Sequence, residues 1–192
     1  MLRTIVIIIF LASGCEDNSI RPLRPSDDVE QTDGYLETKE ESVKSTDAAT
    51  ITIAKTTLTI KENSLSEDAE VRLRTLKSRP ERESVASLGD AKGDVVEVTM
   101  YNKGTDEIYA ATVLDQPYGA SQALTDVSDE DNLKYVVISA PGTDDEQVQV
   151  LSRKAITTSA ALTLADLSVS IELSTTHVIF YAVESSEVSG TV

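Results

Sequence analysis

From Ala49 onward, apolar and polar residues alternate with a period of two. Ile51 and Ile53, then Leu58 and Ile60, alternate with Thr and Lys, and Ala69 to Arg74 alternates apolar with charged residues, as a strand with one wet face should. Val96, Val98 and Met100 form another such row, followed by a turn at Asn102 to Thr105, and Glu107 to Leu114 is the expected hairpin partner. Leu133 to Ser139 (LKYVVIS) is a continuous apolar run, which suits a central strand buried on both faces. A turn at Pro141 to Asp144 leads to a return strand, Gln147 to Leu151. Leu167 to Leu173 alternates cleanly, and Val178 to Val183 reads as the last core strand. Lys77 to Gly93 is polar, with one Pro and two Gly, and is expected to be a long surface loop. The abundance of Thr, Val and Ile supports strands independently of period. Together these segments predict an all-β domain over residues 50–192, an antiparallel β-sandwich of about 8–10 strands.

One stretch of this domain resembles a known family. Thr57 to Asp68 (TLTIKENSLSED) is similar to a segment in the β-sandwich domains of ankyrins and netrin receptors and their bacterial lipoprotein relatives, where a strand runs into Ile-Pro-x-Gly-Ala-Leu. Asp115-Gln116-Pro117-Tyr118 sits where that family often has Pro-Tyr after a strand, and Thr176 to Phe180 is similar to its closing His-Phe-Ser strand. The resemblance spans about residues 49–185 and implies a sandwich fold with a scaffold role. Lys61 replaces the family's Pro and Asn63 its Gly; Asn tolerates the left-handed backbone that Gly would supply. Some relatives cleave themselves at the Phe-Ser bond, but Ile179 occupies the nucleophile position here, so the resemblance carries no such activity.

The start of the chain has a different character. Arg3 precedes an apolar run, Ile5 to Ala12 (IVIIIFLA). As a helix that run would reach ~12 Å, well short of a ~30 Å hydrocarbon core, so it reads as a signal peptide over residues 1–14. It ends in Leu11-Ala12-Ser13-Gly14-Cys15, which resembles the lipobox of bacterial lipoproteins. The small residues suit a peptidase that must seat an extended backbone with little bulk at the scissile bond. The resemblance implies that Cys15 becomes the acylated N-terminus, carrying palmitate-type chains, and that the mature chain is held on a membrane by lipid. Two or more inserted chains anchor firmly, at ~0.8 kcal/mol per buried CH₂. Glu16 follows the Cys, and the expected location is the cell envelope, at the outer membrane.

Residues 16–49 hold ten acids, four bases and two prolines, with few large apolar side chains. Such a composition cannot offset the entropy of ordering, so residues 15–49 are expected to be a lipidated Cys and a disordered acidic linker, with a short helix near Leu36 to Val43 as the alternative.

Charge narrows the function classes. The 192 residues include 33 acids and 17 bases, a net charge of −16, which disfavours nucleic acid. One His and one Cys leave little for zinc or nucleophile chemistry, and His177 is expected to be structural. No P-loop, dinucleotide fingerprint or EF-hand loop occurs, so no cofactor is expected. Carboxylates crowd two loops, Asp126 to Asp131 and Asp144 to Glu146. Asp126, Asp129 and Asp131 are the candidate ligands for Ca²⁺, a hard cation that takes six to eight oxygens, although the Asp-x-Asp-x-Asp-Gly spacing is missing. Tyr101, Tyr109 and Tyr118 could form a ligand face or simply pack. The expectation is a non-catalytic module that binds an envelope protein, a glycan or another copy of itself; the alternative is a calcium-dependent binder or hydrolase using the Asp126–Asp131 loop.

Overall fold

A computed structural model describes residues 34–102, 104–152, 157–158 and 167–185. Among them are eleven strands: β1 (Tyr35–Val43), β2 (Ala49–Ile53), β3 (Thr56–Ile60), β4 (Ala69–Leu76), β5 (Val95–Tyr101), β6 (Tyr118–Ala123), β7 (Leu133–Ser139), β8 (Gln147–Ser152), β9 (Thr157–Thr158), β10 (Ser168–Leu173) and β11 (His177–Glu184). Every pairing is antiparallel. The larger sheet has the order β1-β4-β5-β11-β7-β8 and the smaller β2-β3-β6-β10-β9. The chain is therefore an all-β sandwich. No helix among the described residues is long and apolar enough to cross a membrane.

The core forms where alternation points. Ile51, Ile53, Leu58, Ile60, Val169 and Ile171 of the smaller sheet meet Val71, Leu73, Val96, Val98, Val137 and Phe180 of the larger. The ring of Tyr135 stacks on Phe180 with centroids 6.0 Å apart. Burying each such aliphatic side chain is worth ~1.5–3 kcal/mol. Inside this apolar layer lies one closed polar network. The Tyr135 hydroxyl donates to Gln122 Oε1 (3.1 Å), and Gln122 Nε2 donates to Thr56 Oγ1 (3.1 Å) and to the Asp94 carbonyl (2.6 Å). Thr56 Oγ1 in turn donates to Asp94 Oδ2 (3.2 Å). With its donors used, the network avoids the cost of orphaned buried groups and fixes how the two sheets register.

Three sequence expectations change. The first concerns the linker: β1 occupies residues 35–43, pairing with β4 from Tyr35↔Leu76 to Val43↔Ala69. The sandwich thus begins well before residue 50, and neither linker nor helix describes this stretch. Its composition is polar because it is an edge strand, held mainly by ladder bonds and cross-strand pairs such as Glu40–Arg72, with Val43 at its end reaching the core. The second concerns Glu107 to Leu114, which is not the hairpin partner of β5. Only an isolated Tyr101↔Ile108 bridge forms, and the chain continues into a 3₁₀ turn at Ala111–Val113. All seven β5 residues are buried, so its flanks are filled by β4 and β11, whose apolar rows match it. The third concerns the 77–93 loop, which lies on the surface but carries a second core, described below. Leu133–Ser139 is the buried central strand anticipated, with six of its seven residues buried. Asn63 does take the left-handed conformation, at φ 55.

Candidate functional site

The larger sheet has an outer face turned away from its partner sheet, and that face divides in two. One half is apolar. Val95, Val136, Ile138, Ile179, Tyr181 and Val183 form a smaller cluster with Val85 and Leu88, which come from the 77–93 segment. This segment is a strap. Its 3₁₀ turn at Glu83–Val85 drives Val85 to full burial. Arg79 closes it from within, Nη1 donating to the Val85 carbonyl (2.8 Å). Arg82 latches it to the β7–β8 turn through a two-pronged pair with Glu146 (2.6 and 2.9 Å). At the far end Lys92 N–H donates to the Ala182 carbonyl (2.9 Å), and Lys92 Nζ lies 3.4 Å from Glu184. Gly89 has no side chain where a Cβ would stand 2.8 Å from the Glu184 carbonyl, so only glycine lets the strap lie this close to β11. Arg82 foremost holds Glu146 below the ordinary carboxylate range, and Ser128 foremost does the same for Glu184.

The other half of the outer face is charged. Glu97 of β5 is nearly buried, and its Oε1 lies 3.0 Å from His177 Nε2 on β11. Arg74 Nη1 stands 3.7 Å from Glu97 Oε2, too far for a hydrogen bond, and that oxygen has no hydrogen-bond partner. Burial pushes the Glu97 carboxyl up, but the bond and charge of His177, with the charge of Arg74, outweigh it and hold the group below its usual range. The Arg74 guanidinium also covers the Tyr35 ring, 4.5 Å from its centroid, and Arg72 covers Tyr101 at 4.8 Å. The row sets opposite charges side by side, with the one histidine of the sequence engaged by a carboxylate.

Beside this row, where β1 begins and β4 ends, is a cleft of about 550 Å³. Its walls include Leu36 and Glu37 of β1, Ala54 of the β2–β3 turn, and Lys77, Asp90 and Asp94 at the two ends of the strap. Leu36 is 70% exposed at its rim, the most exposed large apolar side chain described. Asp94 is fixed at the wall by Lys55 N–H (2.8 Å) and Thr56 Oγ1, so the cleft is tied directly to the core polar network.

The residues singled out in the sequence behave differently. Cys15, with the expected signal peptide and most of the expected linker, lies outside the described residues. Asp126 sits at φ 56 and its carbonyl accepts from Lys92 Nζ (2.8 Å). The Asp129 carboxylate caps a 3₁₀ turn at Glu130–Asn132, accepting from Asp131 N–H (3.0 Å) and Asn132 Nδ2 (2.7 Å). Asp129 is thus occupied with the Asp131 N–H and the Asn132 side-chain amide. No group of three His, Cys, Asp or Glu side chains able to hold a metal occurs among the described residues. The three tyrosines do not share a face. The Tyr118 hydroxyl donates to the Thr175 carbonyl (2.8 Å), that of Tyr109 to the Asp68 carbonyl (2.9 Å), and Tyr101 accepts from Arg72 (3.2 Å).

The strap and the Glu97–His177 pair escaped the sequence reading. Val85 and Leu88, three apart in a polar stretch, were the strap's only signal. Glu97 lay in a strand expected to alternate and looked like an ordinary wet-face residue. The chain matches no protein-family model and no curated protein.

Proposed function

We propose that the chain is a membrane-anchored lipoprotein of the cell envelope, held through acylated Cys15, whose β-sandwich serves as a non-catalytic binding or scaffold module. The observation that carries this reading is the run Leu11-Ala12-Ser13-Gly14-Cys15 after a short apolar leader. Glu16 directly after the Cys favours the outer membrane. The site geometry is consistent with binding rather than catalysis. Its histidine is bonded to Glu97 and its arginines lie over tyrosine rings or beside carboxylates, and its open features are a cleft and sheet edges, the surfaces by which sandwich domains take up partners. The partners fitting this reading are the membrane, through the lipid, and an envelope protein or glycan, through the sandwich.

The test is Cys15→Ala. The variant should leave the membrane fraction while the sandwich retains its circular dichroism spectrum and melting temperature. A variant that stays in the membrane pellet refutes the anchor.

A further inference from the structure

The strap that roofs the outer apolar cluster is a single excursion of the chain between β4 and β5. It leaves after Leu76 and returns at Val95, and those two residues face each other in the β4–β5 ladder. Its returning root is pinned to β11 by the Ala91–Val183 bridge and by the Lys92 N–H bond to the Ala182 carbonyl. Between the roots, residues 80–90 bury only Val85 and Leu88. Loops of this length with closely spaced ends are uncommon in compact domains, and lids are among their recurring uses. What the strap covers also differs from the main core. The Tyr181 hydroxyl, in one cluster with Val85 and Leu88, is buried without a hydrogen-bond partner. Lys134 is on the same face, two residues before Val136 and directly across the ladder from Val183. It is 7% exposed, and its Nζ likewise has no partner. The core between the two sheets holds no such atom among the described residues. A buried donor without an acceptor has given up water for nothing, and the loss is greatest for a group that can carry charge.

We infer that the strap is a lid poised to open, hinged at its roots, and that Lys134 and Tyr181 set how often it does so. In the closed state Val85 and Leu88 seal the face, and the Arg82–Glu146 pair latches the middle of the strap to the β7–β8 turn. Opening exposes that apolar face, which costs free energy, but it also returns water to the amine and the hydroxyl. The two polar groups therefore favour the open state. The cleft of about 550 Å³ lies at the hinge, lined by Lys77, Ser78 and Arg79 on the outgoing root and by Asp90, Ala91 and Asp94 on the returning one, so the roots have room to turn. The strap thus controls whether the larger sheet presents Val136, Ile138 and Ile179 to the surroundings. This device needs neither a lipid nor a partner, so it stands apart from the anchor.

The test reads thiol reactivity in the full chain with Cys15→Ala, which removes the native thiol. Val85→Cys places a thiol beneath the strap. Val98→Cys makes the same exchange at an equally buried position between the two sheets, and reports opening of the whole fold. The thiol at position 85 should react with DTNB about 100-fold faster than the one at position 98, because the strap opens by itself. Adding Lys134→Met, which keeps the length of the side chain and drops its amine, should slow the reaction at position 85 about tenfold. Adding Tyr181→Phe, which removes one oxygen, should slow it about threefold. Equal rates at positions 85 and 98 would mean that the strap opens only when everything unfolds, and would overturn the inference. So would a reaction at position 85 that either folded variant leaves unchanged or makes faster. Should Lys134→Met fail to fold, Tyr181→Phe decides alone.

Discussion

Glu97 can stay ionised under so little water only because His177 and Arg74 stand beside it. Its carboxyl titrates below the ordinary Glu value near 4.5, so its contribution is complete above that pH and is lost as pH falls through the lower folded value. Glu146 and Glu184, held low by Arg82 and by Ser128 with Lys92, act in the same direction. The melting temperature should therefore fall steeply on acidification below about pH 4.5. His177→Ala should lose ~3 kcal/mol at pH 7 in chemical denaturation, since it leaves a nearly buried carboxylate without its closest partner. Its acid limb should also be flatter than that of the wild type, because Glu97 no longer titrates low. A second residue-scale prediction concerns Ala54, the first residue of the two-residue turn between Ile53 and Thr56, at φ 45. A Cβ in the left-handed region is strained, so Ala54→Gly should stabilise the fold by ~0.5–1 kcal/mol, net of the freedom glycine gains when unfolded. Thermal denaturation of the pair of proteins decides it.

At the scale of elements, the strap makes one sheet face into a second core. Without it, Val136, Ile138, Ile179 and Val183 would form an exposed apolar patch on the larger sheet. Val85 is the side chain that seals it, at 0% exposure. Val85→Ala should cost ~2 kcal/mol and make the strap open more often, so that trypsin cuts after Arg82 faster than in the wild type. An unchanged cleavage rate would mean that the Arg82–Glu146 and Lys92–Glu184 pairs hold the strap by themselves. The same elements show what was legible in the chain. The strands β2, β3, β4, β5, β7, β8, β10 and β11 follow from alternation or apolar runs, because side-chain period two is a local property of extended backbone. β1 was not legible, since an edge strand needs ladder bonds more than apolar side chains. β5 pairs with β4 and β11 and not with the segment next to it in sequence, because nearness in sequence does not decide pairing when a strand is buried on both faces.

For the whole molecule, net charge and calcium pull on the same question. Acidic loops could gather a cation, but the Asp129 carboxylate is committed to Asp131 and Asn132, and the Asp126 carbonyl to Lys92. Adding 1 mM Ca²⁺ should therefore leave the melting temperature of the chain within ~1 °C, as expected when a ligand binds folded and unfolded states alike. A rise of several degrees would revive the Asp126–Asp131 site and with it the calcium-dependent reading. The cleft beside β1 lies where the chain enters the sandwich, with Leu36 at its rim.

The amino-acid order alone determined the class of fold, the positions of most strands and the acidic character of the surface, because each depends on local periodicity or composition. Tertiary structure alone decided that residues 35–43 complete the sheet, that a polar loop buries Val85 over its outer face, and that Glu97 meets His177 eighty residues away. Those outcomes depend on which strands lie side by side, and strand neighbours are chosen by the packing of distant faces rather than by any pattern within one segment.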